Sequence, residues 1–236
     1  MLKIIILYCL LMISYGYKII SIKPGGLKGF YVLGMCKFIK ETYPLDNCHF
    51  YGSSAGSWNA MYLSLPFDNS YYFDEIIKIN QDKTKNLYEI ELRLKDIILN
   101  QAEINKIDNN ISSLNKKCNI CLSEFKGYKF KKVIVNEFKN CEDLIDNCIA
   151  SSHLPLVSNE KIFYKYGNKK IIDGGLFRKN YPKHIEPDLT ISHKMFKNKE
   201  IYKFSSFNNL DIEKLIYHGY KDAMKNSDYF ERILDY

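Results

Sequence analysis

Lys3 is followed by an unbroken apolar run from Ile4 to Ile13, and Ser14-Tyr15-Gly16 then places small residues at the two positions a signal peptidase reads. The run is too short for an ordinary membrane span, and charge resumes only at Lys18. Residues 1–16 therefore read as a signal peptide and 17–236 as one mature domain; the competing reading is a buried first strand. Nothing later is apolar for long enough to cross a bilayer. The expected destination is the secretory pathway, with membrane association as the alternative.

Along the mature chain, Tyr17 to Ile22 is a β-branched run that predicts a buried strand. Pro24-Gly25-Gly26-Leu27-Lys28-Gly29 breaks it, Phe30 to Glu41 predicts a helix, and Tyr43-Pro44 ends that helix. Cys48 to Tyr51 predicts a second strand, and Ser57 to Leu65 a helix stopped by Pro66. Strand, turn, helix, strand, turn, helix is the opening of an α/β protein with a mostly parallel sheet. Leu87, Ile90, Leu94, Ile97 and Ile98 recur at helical spacing, a stripe that reads as core packing. Residues 101–117 are polar and read as a surface connection. Strands are expected at Asn119–Glu124 and Lys132–Val135 around a turn at Lys126-Gly127, then a helix at Glu142–Ser151. Lys170–Ile172 and Leu189–Ser192 read as further strands and Leu210–Leu234 as a helical region.

A chain of 236 residues suits one α/β domain able to fold without disulfides or metal. The net charge of +7 is spread along the chain as lysines with no Arg-rich block, which argues against nucleic acid. It leaves a solvated surface or attraction to an anionic membrane face. Of seven cysteines, removing Cys9 with the signal leaves an even number, as a secreted protein would have. Cys118 and Cys121 form one C-x-x-C, but no second ligand pair follows and a zinc site is not expected. Asn110-Ile111-Ser112 is a glycosylation sequon that has meaning only in a secreted chain.

Three motifs carry candidate chemistry. Gly52-Ser53-Ser54-Ala55-Gly56 lies between a predicted strand and a predicted helix, the setting of a nucleophile elbow. Such a turn pushes the Ser54 hydroxyl outward and aims helix N-terminal N–H groups at it. Gly25-Gly26-Leu27-Lys28-Gly29 offers several backbone N–H groups to one anion, either a phosphate or the oxyanion of acyl transfer. Neither the dinucleotide nor the Walker spacing is met. Asp173-Gly174-Gly175 follows a strand end, where Asp173 either caps a turn or acts as a general base. In an open parallel sheet the strand ends before Ser54 and Asp173 lie on one carboxyl edge.

In this order and spacing the three motifs resemble the patatin-like phospholipase family. Cys141-Glu142-Asp143-Leu144-Ile145, Ala150-Ser151-Ser152-His153-Leu154-Pro155 and Gly219-Tyr220-Lys221-Asp222-Ala223 add to the likeness, which runs from Tyr17 to Ala223. The resemblance implies a three-layer α/β/α fold with a mostly parallel sheet and hydrolysis of lipid acyl esters at a lipid or membrane surface. It implies a Ser–Asp dyad with no cofactor and no metal. Carried over by position, Ser54 is the nucleophile and Asp173 the base. The N–H groups of Gly25, Gly26 and Leu27, with Ala55, hold the oxyanion, and Lys28, Gly29, Gly52, Gly56, Gly174 and Gly175 complete the motifs. The family usually has a third glycine where this chain has Pro24, which has no N–H. Two other readings stand beside it. One is a Ser–Asp–His triad, since His184, His193 and His218 all follow Asp173. The other is a catalytically silent lipid-binding protein on the same fold.

Overall fold

The computed structural model describes residues 16–66, 69–79 and 86–235. The expected signal peptide falls, except for Gly16, outside the described residues. The elements are β1 (Lys18–Ile22), α1 (Gly29–Thr42), β2 (Cys48–Gly52), α2 (Ala55–Ser64), α3 (Asn69–Lys78), α4 (Leu87–Ile104), β3 (Cys118–Lys126), β4 (Lys129–Val135), α5 (Cys141–Ser152), β5 (Tyr164–Tyr166), β6 (Lys169–Ile172), β7 (Leu189–Ile191), α6 (Ile212–Lys225) and α7 (Ser227–Leu234). The strands form one mixed sheet flanked by helices, the three-layer α/β/α arrangement. Strands β7, β1, β2 and β3 are parallel, and β4, β6 and β5 are added antiparallel. Ile20, Ile22, Phe50, Ile120 and Ile191 in the parallel part are fully buried, as strands covered on both faces require.

The sequence pattern errs in particular places. Helix α4 runs on through Gln101, which is buried, although residues 101–117 look like a surface connection. Helix α2 starts at Ala55 rather than Ser57, α3 and β5 were not anticipated, and the C-terminal helical region breaks at Asn226. Helix α1 packs against α6 at very close range. A methyl group on Gly34 would lie 2.0 Å from the Ile216 carbonyl oxygen, and one on Gly219 would lie 1.9 Å from that of Tyr31. The Tyr31 hydroxyl donates to Asp222 at 2.8 Å across the same contact. Cys36, Cys48, Cys118, Cys121, Cys141 and Cys148 are all buried free thiols, so the even count does not become disulfides. No helix among the described residues is long and apolar enough to cross a membrane.

The pairing of β3 matters most for the site. Along one edge it pairs with β4 from Ile120 to Lys126. Its other edge is shared, since β2 pairs with Cys118–Ile120 and β6 with Ser123–Phe125 from the opposite direction. The C-terminal ends of β2 and β6 therefore meet head-on beside Cys121. Ser54 and Asp173 do not share the carboxyl edge of a parallel sheet, as the sequence suggests: β6, which leads into Asp173, is antiparallel to β3.

Candidate active site

Ser54 sits between β2 and α2 with φ 55° and ψ −134°, a backbone conformation that strains a residue with a side chain by about 1–3 kcal/mol. Its neighbours leave no room for larger residues. A methyl on Gly52 would come 2.2 Å from the Gly56 carbonyl oxygen, and one on Gly56 would come 2.3 Å from that of Ile22. The first turn of α2 closes behind it, with the N–H of Ser57 and its hydroxyl both donating to the Ser54 carbonyl at 2.8 and 2.6 Å. Ser54 is itself buried, and its N–H donates to the Ser151 hydroxyl at 2.9 Å. Ser151 in turn donates to the Cys121 carbonyl at 2.7 Å, tying the elbow to β3.

Asp173 is held at three points of its own backbone and side chain. Its N–H donates to the His153 carbonyl at 2.8 Å, its carbonyl accepts from the Ser123 hydroxyl at 2.7 Å, and its Oδ1 accepts from the Gly175 N–H. Burial pushes its pKa above the ordinary carboxylate range, while hydrogen bonding to Ser54 and Gly175 pulls back. Gly174 is buried directly over the Cys121 carbonyl. Asn180, also buried, donates to the carbonyls of Ile22 and Tyr51 at 2.9 and 2.8 Å and so pins the segment after Asp173 to β1 and β2.

The Gly-rich turn adopts its shape through Gly26, whose φ is +53°. A methyl there would meet nothing within 4 Å, so it is the conformation and not the space that calls for glycine. Gly25 lies beside the His193 ring, and Gly29 packs onto Ala55 so closely that a methyl would lie 2.6 Å from the Ala55 Cβ. Lys28 extends away, with its ammonium 4.9 Å from the centre of the Tyr202 ring. The Pro24 ring abuts Gly175, so the proline joins the turn to the Asp173 segment.

Gly26, Leu27, Gly29, Ser54 and Ala55 line one apolar cleft of about 610 Å³, its open mouth included. Phe30, Leu33, Trp58, Ile90, Leu94 and Leu154 supply its apolar walls. Ser152 and Glu91 are among the further polar residues that border it. Ser152 accepts from the Trp58 indole N–H at 3.0 Å and fixes that wall. Glu91 lies 2% exposed, and burial pushes its pKa up to about 8. Sequence reasoning missed Ser151, Ser152, Asn180 and Glu91 as site residues. In the sequence, the segment from Ala150 to Pro155 stands out only through the family resemblance. Glu91 was betrayed by one signal, an acid four residues after Leu87 on the apolar stripe of α4.

None of the three downstream histidines hydrogen-bonds the Asp173 carboxylate. His184 is exposed, His218 stacks on Phe204, and His193 stands behind the Gly-rich turn with its pKa lowered by burial. No curated protein matches the chain. The family model for patatin-like phospholipases does match, over residues 20–185, a span that contains the Gly-rich turn, the elbow, the cleft and Asp173; the chain belongs to that family.

Proposed function

We propose that the chain cleaves fatty acyl esters of phospholipids or lysophospholipids through a Ser54 acyl-enzyme, with Asp173 as general base. Family membership carries the coarse activity, hydrolysis of lipid esters. The observation that supports the finer reading is the head-on meeting of β2 and β6. It brings a strained, cleft-facing serine against a partly buried aspartate whose Oδ1 is already engaged by Gly175, which leaves Oδ2 to take the serine proton. Ser54 Oγ attacks the ester carbonyl as Asp173 accepts its proton. The turn of Gly25, Gly26 and Leu27, with Ala55 at the start of α2, receives the negative charge on the carbonyl oxygen. The alcohol leaves with the proton from Asp173. Water, deprotonated by the same carboxylate, then releases the fatty acid and restores Ser54. The apolar cleft beside Ser54 takes the acyl chain.

The silent reading draws support from Pro24, which removes one N–H from the turn. Turnover separates the two. Purified protein should release fatty acid from a mixed phospholipid extract. Ser54→Ala and Asp173→Asn should each lower that rate by about 10³-fold or more, and the double variant should fall little further. Activity retained in Ser54→Ala, or a loss in His193→Ala as deep as that in Asp173→Asn, would show that the site is assigned wrongly.

A further inference from the structure

The loop that borders the cleft exposes apolar side chains that a protein in water gains nothing by displaying. Leu154, Pro155, Leu156 and Val157 are four consecutive exposed apolar residues, and Ile162 and Leu176 are exposed nearby in sequence. Leu156, Val157, Ile162 and Leu176 are each more than half exposed. An exposed apolar run of this length is a fault unless it has a use. The loop is built rather than slack. The Leu154 N–H donates to the Ser158 hydroxyl at 3.0 Å, the Val157 N–H to the Leu154 carbonyl at 3.1 Å, and the Leu156 N–H to the Lys161 carbonyl at 3.0 Å. Leu156 stands at φ 64°, where bulky side chains are rare, and it is held exposed there despite the strain. This loop and the turn after Asp173 start from one point, because the His153 carbonyl accepts the Asp173 N–H at 2.8 Å. Leu156 and Leu176 each lie three residues beyond that bond, at most about 11 Å of chain.

We propose that residues 154–162, with Leu176, form the surface by which the protein docks onto an anionic phospholipid bilayer, the apolar side chains entering the lipid and the neighbouring basic ones meeting headgroups. The inference rests on the reading of the cleft as the acyl site. Two observations name the occupant. Leu154 is both exposed and a wall of the cleft, so whatever covers this loop also lies across the border of the cleft. A folded protein seated there would obstruct the entry of a lipid, whereas a bilayer supplies acyl chains to it. The exposed charges of residues 154–162 and 174–183 are Lys161, Arg178, Lys179 and Lys183 against Glu160 alone, with Lys179 also paired to Glu186 at 2.6 Å. Apolar side chains beside cations match the acyl boundary and the anionic headgroups of a membrane face. A second copy of this chain fits worse, since a two-fold contact would set the same cations against one another.

The test measures sedimentation of the protein with vesicles of phosphatidylcholine, with and without phosphatidylglycerol. Ser54→Ala serves as the parent, so that the lipid is not consumed. It should bind the mixed vesicles about tenfold more tightly than phosphatidylcholine alone, by a margin that shrinks as salt rises. Leu156→Asp and Val157→Asp should each weaken binding to the mixed vesicles by about tenfold or more, the loss expected when one aliphatic side chain no longer enters lipid. Aspartate is among the residues that tolerate positive φ, so Leu156→Asp leaves the loop its conformation. Neither Leu156 nor Val157 lines the cleft. With Ser54 intact, both variants should therefore keep wild-type kcat on a soluble chromogenic ester while losing turnover on mixed vesicles. No ester turnover alongside vesicle binding that depends on Leu156 would refute the Ser54 reading and leave the docking surface standing. Vesicle binding unchanged in both variants, no preference for phosphatidylglycerol, or a dimer that Leu156→Asp dissociates and vesicles do not would overturn the proposal.

Discussion

Gly174→Ala is the sharpest test of the way the site is built. A methyl at Gly174 would stand 1.8 Å from the Cys121 carbonyl oxygen, 2.8 Å from its carbon and 2.9 Å from the Ser151 hydroxyl. Contacts below about 3 Å are not tolerated in packed interiors, so some part must yield by about 1.2 Å. Cys121 lies in the middle of β3, which pairs on both edges, and its carbonyl is bonded by Ser151. The turn from Asp173 to Gly175 is the freer partner and should move outward, taking the carboxylate away from Ser54. A misplacement of about 1 Å in a reacting group can cost on the order of 10²-fold in rate. The added strain should also lower stability by about 1–3 kcal/mol. The assay is kcat and KM on a soluble chromogenic acyl ester, with urea unfolding measured in parallel. Gly127→Ala is the control: it sits in the β3–β4 turn at φ +56° with open space around it. It should lose about 1–2 kcal/mol of stability through backbone strain alone, with kcat unchanged. Wild-type kcat in Gly174→Ala, or an equal loss of kcat in Gly127→Ala, would refute the reasoning.

Two further outcomes are expected. Burial raises the Asp173 pKa, and a carboxylate in the proposed role of base works only when ionised, so kcat/KM should fall as pH drops through a value above the ordinary aspartate range. It should fall again as pH rises through about 8, where Glu91 ionises in the apolar wall; a full pH profile checks both limbs, and Glu91→Gln should remove only the alkaline one. Pro24→Gly restores a backbone N–H to the Gly-rich turn and removes a ring that abuts Gly175, so activity on the soluble ester should stay unchanged or rise, with a small loss of thermal stability. A large loss of activity would mean that the fixed φ of Pro24 holds the turn in shape.

Sequence revealed the parts of the site whose chemistry is local. The elbow was legible because Gly52 and Gly56 answer to atoms within a few residues or on the adjoining strand, and because a serine between strand and helix has few other uses. The turn at Gly25 and Gly26 was legible because its glycines follow a strand directly, and at Gly26 the local backbone, with φ +53°, calls for glycine. What brings Asp173 to Ser54 was not, since it depends on which strands share an edge of β3, and strand pairing between residues so far apart leaves no local pattern. Both Cys48–Tyr51 and Lys170–Ile172 read as short strands, with nothing in the sequence to say that the first runs parallel and the second antiparallel to β3. The extent of α4 was misjudged because Gln101 is polar yet buried, a choice made by tertiary packing rather than by helix propensity. The C-terminal likeness at Gly219 and Asp222 has a packing meaning: both residues meet Tyr31 on α1, beyond the span the family model matches.

On the proposed mechanism, the same geometry would let two side chains suffice where a catalytic triad uses three. In a triad, a third group must hold a mobile histidine in the correct orientation. Asp173 has a short side chain with little freedom to lose, and its position is set by the main chain on either side. His153 and Ser123 fix the peptide groups of Asp173, and Gly175 fixes one carboxylate oxygen. His153 stands at the end of α5, two residues after Ser151, which holds the elbow N–H. One helix end therefore anchors both Ser54, through a side chain, and Asp173, through a carbonyl. Ser152, between them, fixes the indole in the cleft wall. Ser54, Asp173 and the cleft wall are thus referred to three consecutive residues, and errors in their relative placement are small because the chain between their supports is short.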